Sequence, residues 1–215
     1  MDKVSAIKMF TNCFLGNVDE DTLNLLKNIS TLVKKDKKET FFLEDQEGEN
    51  IYFLASGLIK LYKTNDEGKE AIIHFVRPGE LFAEILLYLR NRYPVTAEAV
   101  ENCTALSINS KKLFQLIREN PDISMKLIGM MAQRIKYFLN MIENLTLSDA
   151  RNRLLRYLRV LADKNKDNTI TLPVNKGDIA ILLGIAPETF SRLLKKLSEE
   201  RIIRVEGKQI ELLEN

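Results

Sequence analysis

Hydrophobic and polar residues alternate in two rhythms along the 215-residue chain, and the change of rhythm divides it. From about residue 38 to 108 short apolar runs recur with the two-residue period of strands. They are Phe41-Phe42-Leu43, Ile51-Tyr52-Phe53-Leu54, Leu58-Ile59-Lys60-Leu61-Tyr62 and Ala71-Ile72-Ile73-His74-Phe75-Val76. Gly48, Gly57, Gly68 and Gly79 punctuate them at intervals of 9, 11 and 11 residues. That spacing predicts the tight turns of a small antiparallel barrel or jelly roll. Ahead of this zone, residues 19–29 predict a short helix with an acidic first turn.

After Pro121, a residue suited to a first helical turn, the period becomes helical. Ile128, Met131, Ile135, Phe138, Ile142 and Leu145 lie 3, 4, 3, 4 and 3 residues apart, with Lys136 and Glu143 off that line. Strict 3-4 spacing predicts a seam that pairs with a second copy of itself in a parallel homodimer. The competing use of such a helix is packing on its own barrel, for which Leu127 and Leu139 are the candidates. The run Thr146-Leu147-Ser148-Asp149 sets capping residues inside helical sequence and predicts an end, a hinge and a restart. In the next helix Leu154, Leu155, Leu158 and Leu161 face inward and Arg151, Arg153, Arg156 and Arg159 outward. Those arginines form either a plain solvated face or a set of phosphate contacts.

The stretch from Leu172 to Leu197 carries the strongest functional signal. Asn175 caps a helix whose inward residues are Ile179, Leu182 and Leu183, Gly184 supplies a turn, and Pro187 opens a second helix. Phe190, Leu193, Leu194 and Leu197 form the inner side of that helix, and Glu188, Ser191, Arg192 and Lys195 the outer side. A DNA recognition helix needs this division, because its first turns must offer polar groups to base edges. Arginine donates twice to guanine, and a carboxylate accepts from the cytosine amino group, which are the roles open to Arg192 and Glu188. Ala186 is a poorer cap than Ser or Thr would be. Residues 202–212 read as two short strands about Gly207, a wing.

Charge and composition change this picture little. The chain has 32 Lys+Arg against 30 Asp+Glu, but the residues from Asp149 onward hold 13 against 10, so the basic excess lies where the DNA-reading helices are expected. The start has no signal-peptide pattern and no apolar run is long enough to span a membrane, which predicts a cytoplasmic protein with no membrane partner. Cys13 and Cys103 form no metal-binding pair and read as small buried side chains or, alternatively, redox sensors. Two cysteines cannot supply a zinc site or an iron–sulfur cluster from one chain. With no phosphate loop, no Ser-His-Asp set and no metal-ligand cluster, the chain is not expected to be an enzyme. A dimeric scaffold that binds a small molecule without DNA is the other reading.

Pro78-Gly79-Glu80-Leu81-Phe82-Ala83-Glu84, the long helix, the winged helix and above all Pro187-Glu188-Thr189-Phe190-Ser191-Arg192 resemble the family of the catabolite activator protein and the fumarate-nitrate reductase regulator. The resemblance implies an α+β chain. Its parts would be an effector-sensing β-jelly-roll of the cyclic-nucleotide-binding type (residues 1–120), a dimerisation helix (121–146) and a winged helix-turn-helix (147–215). It further implies double-stranded DNA and RNA polymerase as partners. Glu188, Ser191 and Arg192 would read a palindromic TTGA-type site while Thr189 meets the backbone, with Lys195 as a further DNA-contacting residue. An effector pocket is implied between barrel and long helix, at Leu81, Phe82, Glu84, Arg92, Tyr93 and Thr96. Cyclic-AMP binders of the family carry Arg-Ser where this chain has Tyr93-Pro94 or Pro94-Val95, which speaks against a cyclic nucleotide although Glu84 matches a ribose-binding glutamate. The segment Tyr93-Pro94-Val95-Thr96-Ala97-Glu98-Ala99-Val100 is similar to nitric-oxide-responsive denitrification regulators and to regulators of hybrid-cluster protein. That likeness suggests a small-molecule or gas effector, control of nitrosative-stress or anaerobic-respiration genes, and haem as a cofactor. His74, the sole histidine, is then either an axial ligand or a packed strand residue.

Overall fold

The computed structural model describes residues 1–16, 18–88, 92–119, 121–165 and 168–213. Two compact units divide the chain, Met1–Gln133 and Arg134–Asn215.

In the first unit the alternating runs become strands β1 (Ser30–Lys35), β2 (Thr40–Phe42), β3 (Asn50–Ser56), β4 (Ile59–Thr64), β5 (Glu70–Val76), β6 (Leu81–Phe82), β7 (Thr96–Ala99) and β8 (Cys103–Asn109). They form two antiparallel four-stranded sheets, ordered β1-β8-β3-β6 and β2-β7-β4-β5. Ile51, Phe53, Leu54, Ile59, Val76, Leu106 and Ile108 are fully buried in one core, and β3 and β8 are buried on both faces. Gly57 turns the chain at φ +95°, with the Cys103 backbone so close that any Cβ would collide. Gly48 serves a different need, since its missing Cβ leaves room for the Tyr93 ring.

Two helices precede the sheets. Helix α2 (Glu20–Ile29) is the expected one, capped by Asp19, which accepts from Thr22 N. Helix α1 (Lys3–Phe14) was not expected, although Asp2 caps it at Ser5 and Ala6, Ile7, Phe10 and Phe14 follow a helical spacing. Phe10 and Phe14 set their rings edge-on against Phe53, at 5.4 and 5.8 Å. Helix α3 (Ser110–Glu119) follows β8, and α4 runs unbroken from Pro121 to Leu147. Leu127 packs against the barrel core. Leu139, expected to do the same, is 61% exposed.

The second unit contains α5 (Ala150–Asn165), β9 (Thr169–Thr171), α6 (Lys176–Leu182), α7 (Pro187–Glu199), β10 (Ile203–Glu206) and β11 (Gln209–Leu212). Helix α4 ends at Leu147, and Asp149 opens α5 by accepting from Asn152 N. The wing hairpin gains a third strand that the sequence reading missed, in the order β10-β11-β9. Leu154, Leu158, Ile170, Ile179, Leu197 and Ile210 make its core. Leu182, Leu183 and Leu193, expected inside, are only half-buried.

Candidate nucleic-acid interface and effector pocket

Helices α6 and α7 form a helix-turn-helix by capping at one end and steric permission in the middle. Asn175 accepts from Asp178 N at 2.8 Å and starts α6. Gly184 makes the turn at φ +61°, and Pro187 supplies the first position of α7, which has no side-chain cap at Ala186. Phe190, Leu194 and Leu197 bury the inner face of α7, leaving Glu188, Ser191, Arg192 and Lys195 together on its exposed face. Thr189 is half-buried and accepts from Arg192 Nη2 at 3.2 Å, so a threonine hydroxyl steadies the guanidinium. A groove of about 460 Å³ opens beside this face, lined by Lys176, Ser191, Lys195 and Ser198 with Leu194, Glu199 and Val205. The lysines and serine hydroxyls of this lining are suited to a phosphate chain.

The outward arginines of α5 turn out to differ from one another. Arg151 pairs with Glu200 at 2.6 Å, just past the end of α7. Arg153 was expected to face solvent, but it is half-buried and donates to three backbone carbonyls.

The six residues expected at the effector pocket do not share one role. Leu81 and Phe82 are buried on β6, and Glu84 opens the short 3-10 turn Glu84–Leu87. Tyr93 is 3% exposed, stacks on Phe42 with 3.8 Å between ring centres, and donates its hydroxyl to Asn50 O at 3.0 Å. Phe82 and Tyr52 stack in the same cluster at 5.1 Å, and Phe41 meets both edge-on. Burial, and then the neighbouring Tyr52 hydroxyl, push the Tyr93 phenol above its usual range, so it remains a neutral donor. Thr96 accepts from Glu44 N at 3.0 Å. Arg92 turns away from the cluster, donating to Asp45 O at 2.8 Å and pairing with Glu47 at 2.7 Å. Phe82 and Tyr93 thus come together, while Arg92 and Thr96 tie their segment to the β2–β3 loop. Sequence reasoning missed the partners Phe41, Phe42 and Tyr52, whose only signal was their place in apolar runs.

His74 Nε2 lies 2.9 Å from Glu80 Oε2. Among the described residues no group of three or more His, Cys, Asp or Glu is placed to hold a metal ion. Cys103 is buried, its thiol pushed up by burial, but Cys13 is exposed rather than buried as expected, since it faces away from the apolar side of α1.

A model of the cyclic nucleotide-binding domain matches residues 32–120, and one of the Crp-like helix-turn-helix domain matches residues 152–214. The chain belongs to the CRP/FNR family of transcription regulators. It is an effector-responsive DNA-binding regulator and not an enzyme. The cAMP-activated global transcriptional regulator CRP of Salmonella typhimurium is 28% identical over 202 residues, which span 91% of this chain and 96% of that protein. The solved structure of FixK2 from Bradyrhizobium japonicum superposes with TM-score 0.74 at 24% identity, covering 86% of this chain and 93% of its own. The c-di-GMP-responsive global regulator CLP of Xanthomonas campestris reaches TM-score 0.79 at 20% identity, covering 92% and 100%. At those identities the two structures speak for the α+β fold alone. Among the described residues no helix of this family member is long and apolar enough to cross a membrane.

Among the described residues, those of segment 92–96 do not fit a cyclic nucleotide, which the family's domain implies. Its phosphate needs a cation and hydroxyls facing the barrel interior. Arg92 instead pairs with Glu47 on the exposed side, and Tyr93 next to it is buried in a stack with Phe42.

Proposed function

We propose that this chain acts as a homodimer that reads a palindromic TTGA-type site with Glu188, Ser191 and Arg192 of each α7. The observation that carries the reading is the single exposed polar face of α7, set on a helix whose other face is buried. In this reading Arg192 donates to guanine, Glu188 accepts from cytosine, and Thr189 and Lys195 contact the backbone. Half-sites would lie roughly 34 Å apart, one helical turn. Pairing would use Ile128, Met131, Ile135, Phe138, Ile142 and Leu145 of α4. An effector near Leu81, Phe82, Glu84, Arg92, Tyr93 and Thr96 would bias the pairing through its different affinities for two states. The likeness of residues 93–100 to nitric-oxide-responsive regulators supports control of nitrosative-stress or anaerobic-respiration genes, exerted through contact with RNA polymerase.

Selection from random oligonucleotides tests the site. A TTGA palindrome should emerge, and Arg192→Ala should weaken its binding by about 1–3 kcal/mol while relaxing one base pair per half-site. Equal losses on the selected site and on random duplex would reject the assignment.

The effector is proposed to be something other than a cyclic nucleotide. Saturating cAMP at a hundred times its dissociation constant would stabilise a binder by about 2.7 kcal/mol. Millimolar cAMP should therefore leave the melting temperature unmoved, and a rise of several degrees, with the DNA affinity rising too, would restore the cyclic-nucleotide reading.

A further inference from the structure

One side chain joins the start of α5 to the turn of the helix-turn-helix. Arg153 Nη1 donates to Ser148 O at 2.5 Å, Nε to Leu183 O at 2.8 Å and Nη2 to Gly184 O at 3.2 Å. Ser148 lies between α4 and α5, whereas Leu183 and Gly184 close α6 and begin the turn into α7. Carbonyls at a helix C-terminus carry partial negative charge, so a cation is well placed there. A second contact spans the same gap. A Cβ added to Gly184 would lie 2.8 Å from Leu145 Cδ2, so the last turns of α4 rest on the turn through a side chain counted among the dimer seam. Only Ile185 and Ala186 separate Gly184 from the first residue of α7. At the far end of α7, Arg151 holds Glu200.

We propose that Arg153, seconded by Leu145, is a positioning residue that fixes the direction of α7 relative to the end of α4. The inference rests on α7 being the DNA-reading helix. Arginine is required rather than lysine, because its planar fork reaches three acceptors at once while an ammonium group has one atom to share. In a dimer whose two α4 helices are paired, this clamp sets the distance and angle between the two recognition helices. It therefore sets which half-site spacing the protein accepts, a property that no base-contacting residue controls.

The experiment uses full-length protein and duplexes bearing two TTGA half-sites whose separation is stepped by one base pair. Each step turns a half-site by roughly 34° and moves it about 3.4 Å. Wild type should prefer one spacing over its neighbours by at least tenfold. Arg153→Lys should cut that preference to threefold or less, with binding to random duplex unchanged. Leu145→Ala removes no hydrogen bond, and should move the preference in the same direction once sedimentation shows that the dimer persists. A uniform loss at every spacing, or wild-type discrimination retained in both variants, overturns the proposal. If wild type itself fails to bind any TTGA palindrome, the reading of α7 falls first and this inference with it.

Discussion

Replacing Ile135 with Asp should turn the protein into a monomer and lower its affinity for the selected palindrome at least a thousandfold. Ile128, Ile135 and Ile142 recur at heptad spacing on α4 and are 61, 59 and 58% exposed in the single chain. Such a stripe of aliphatic side chains is costly in water and suits a partner of the same pattern. Ile135 is central in it, so a two-fold dimer would bring two introduced carboxylates into one apolar seam. Unpaired buried charges cost several kcal/mol each, and like charges add repulsion. A lone subunit then has one α7 instead of two, and falls from specific binding toward the nonspecific level, a gap of about 10³–10⁷ in affinity. Because the replaced side chain is already exposed within one chain, each monomer should keep its fold, visible as unchanged strand and helix signals in circular dichroism. Sedimentation velocity and fluorescence anisotropy on the selected DNA measure both effects. A wild-type monomer, or a variant that stays dimeric and binds as before, would remove the seam from the account.

How much of this was legible in the sequence depended on whether the deciding interaction was local. The strand runs and α7 were legible because periods of 2 and 3.6 residues are written into adjacent positions, and burial follows them. The caps at Asn175 and Asp149 were legible for the same reason, since each side chain bonds a backbone N–H three residues on. Arg153 was not. Its spacing equals that of Arg156, and only the return of the chain through α6 brings the carbonyls of Leu183 and Gly184 within reach, 30 and 31 residues later. The aromatic cluster shows the same limit. Phe41, Tyr52, Phe82 and Tyr93 each read as an apolar residue on a strand or loop, but their convergence depends on the pairing of β3 with β6 and on the 92–93 segment meeting the β2–β3 loop. The expected pocket residues came from a family resemblance, which places a segment without saying whether its side chains leave room. Gly48 carries the clue in hindsight. It stood in the turn series, yet its φ is not in the left-handed region, and what it accommodates is the Tyr93 ring.

The same cluster leads to the second large effect, Phe82→Ala, which should destabilise the first unit by about 3–5 kcal/mol. Phe82 is fully buried, stacks on Tyr52 at 5.1 Å and Phe42 at 6.1 Å, and meets Phe41 edge-on at 5.6 Å. Truncation removes the transfer free energy of the ring and leaves a void that the three neighbouring rings cannot all fill, because Phe42 is held by its stack on Tyr93, which is itself pinned by its bond to Asn50 O. Tyr93→Phe keeps the ring and deletes only that hydroxyl, for a loss of about 1 kcal/mol. Urea melts followed by tyrosine fluorescence should rank the two variants in that order. The reverse order would mean that the hydroxyl, rather than ring packing, holds the segment closed. A void lined by Phe41, Phe42 and Tyr52 would also be apolar, the kind of cavity that stays dry and admits a small aromatic molecule. Benzene should therefore restore part of the stability lost in Phe82→Ala and do nothing for wild type, which separates a cavity from a general loosening of the barrel.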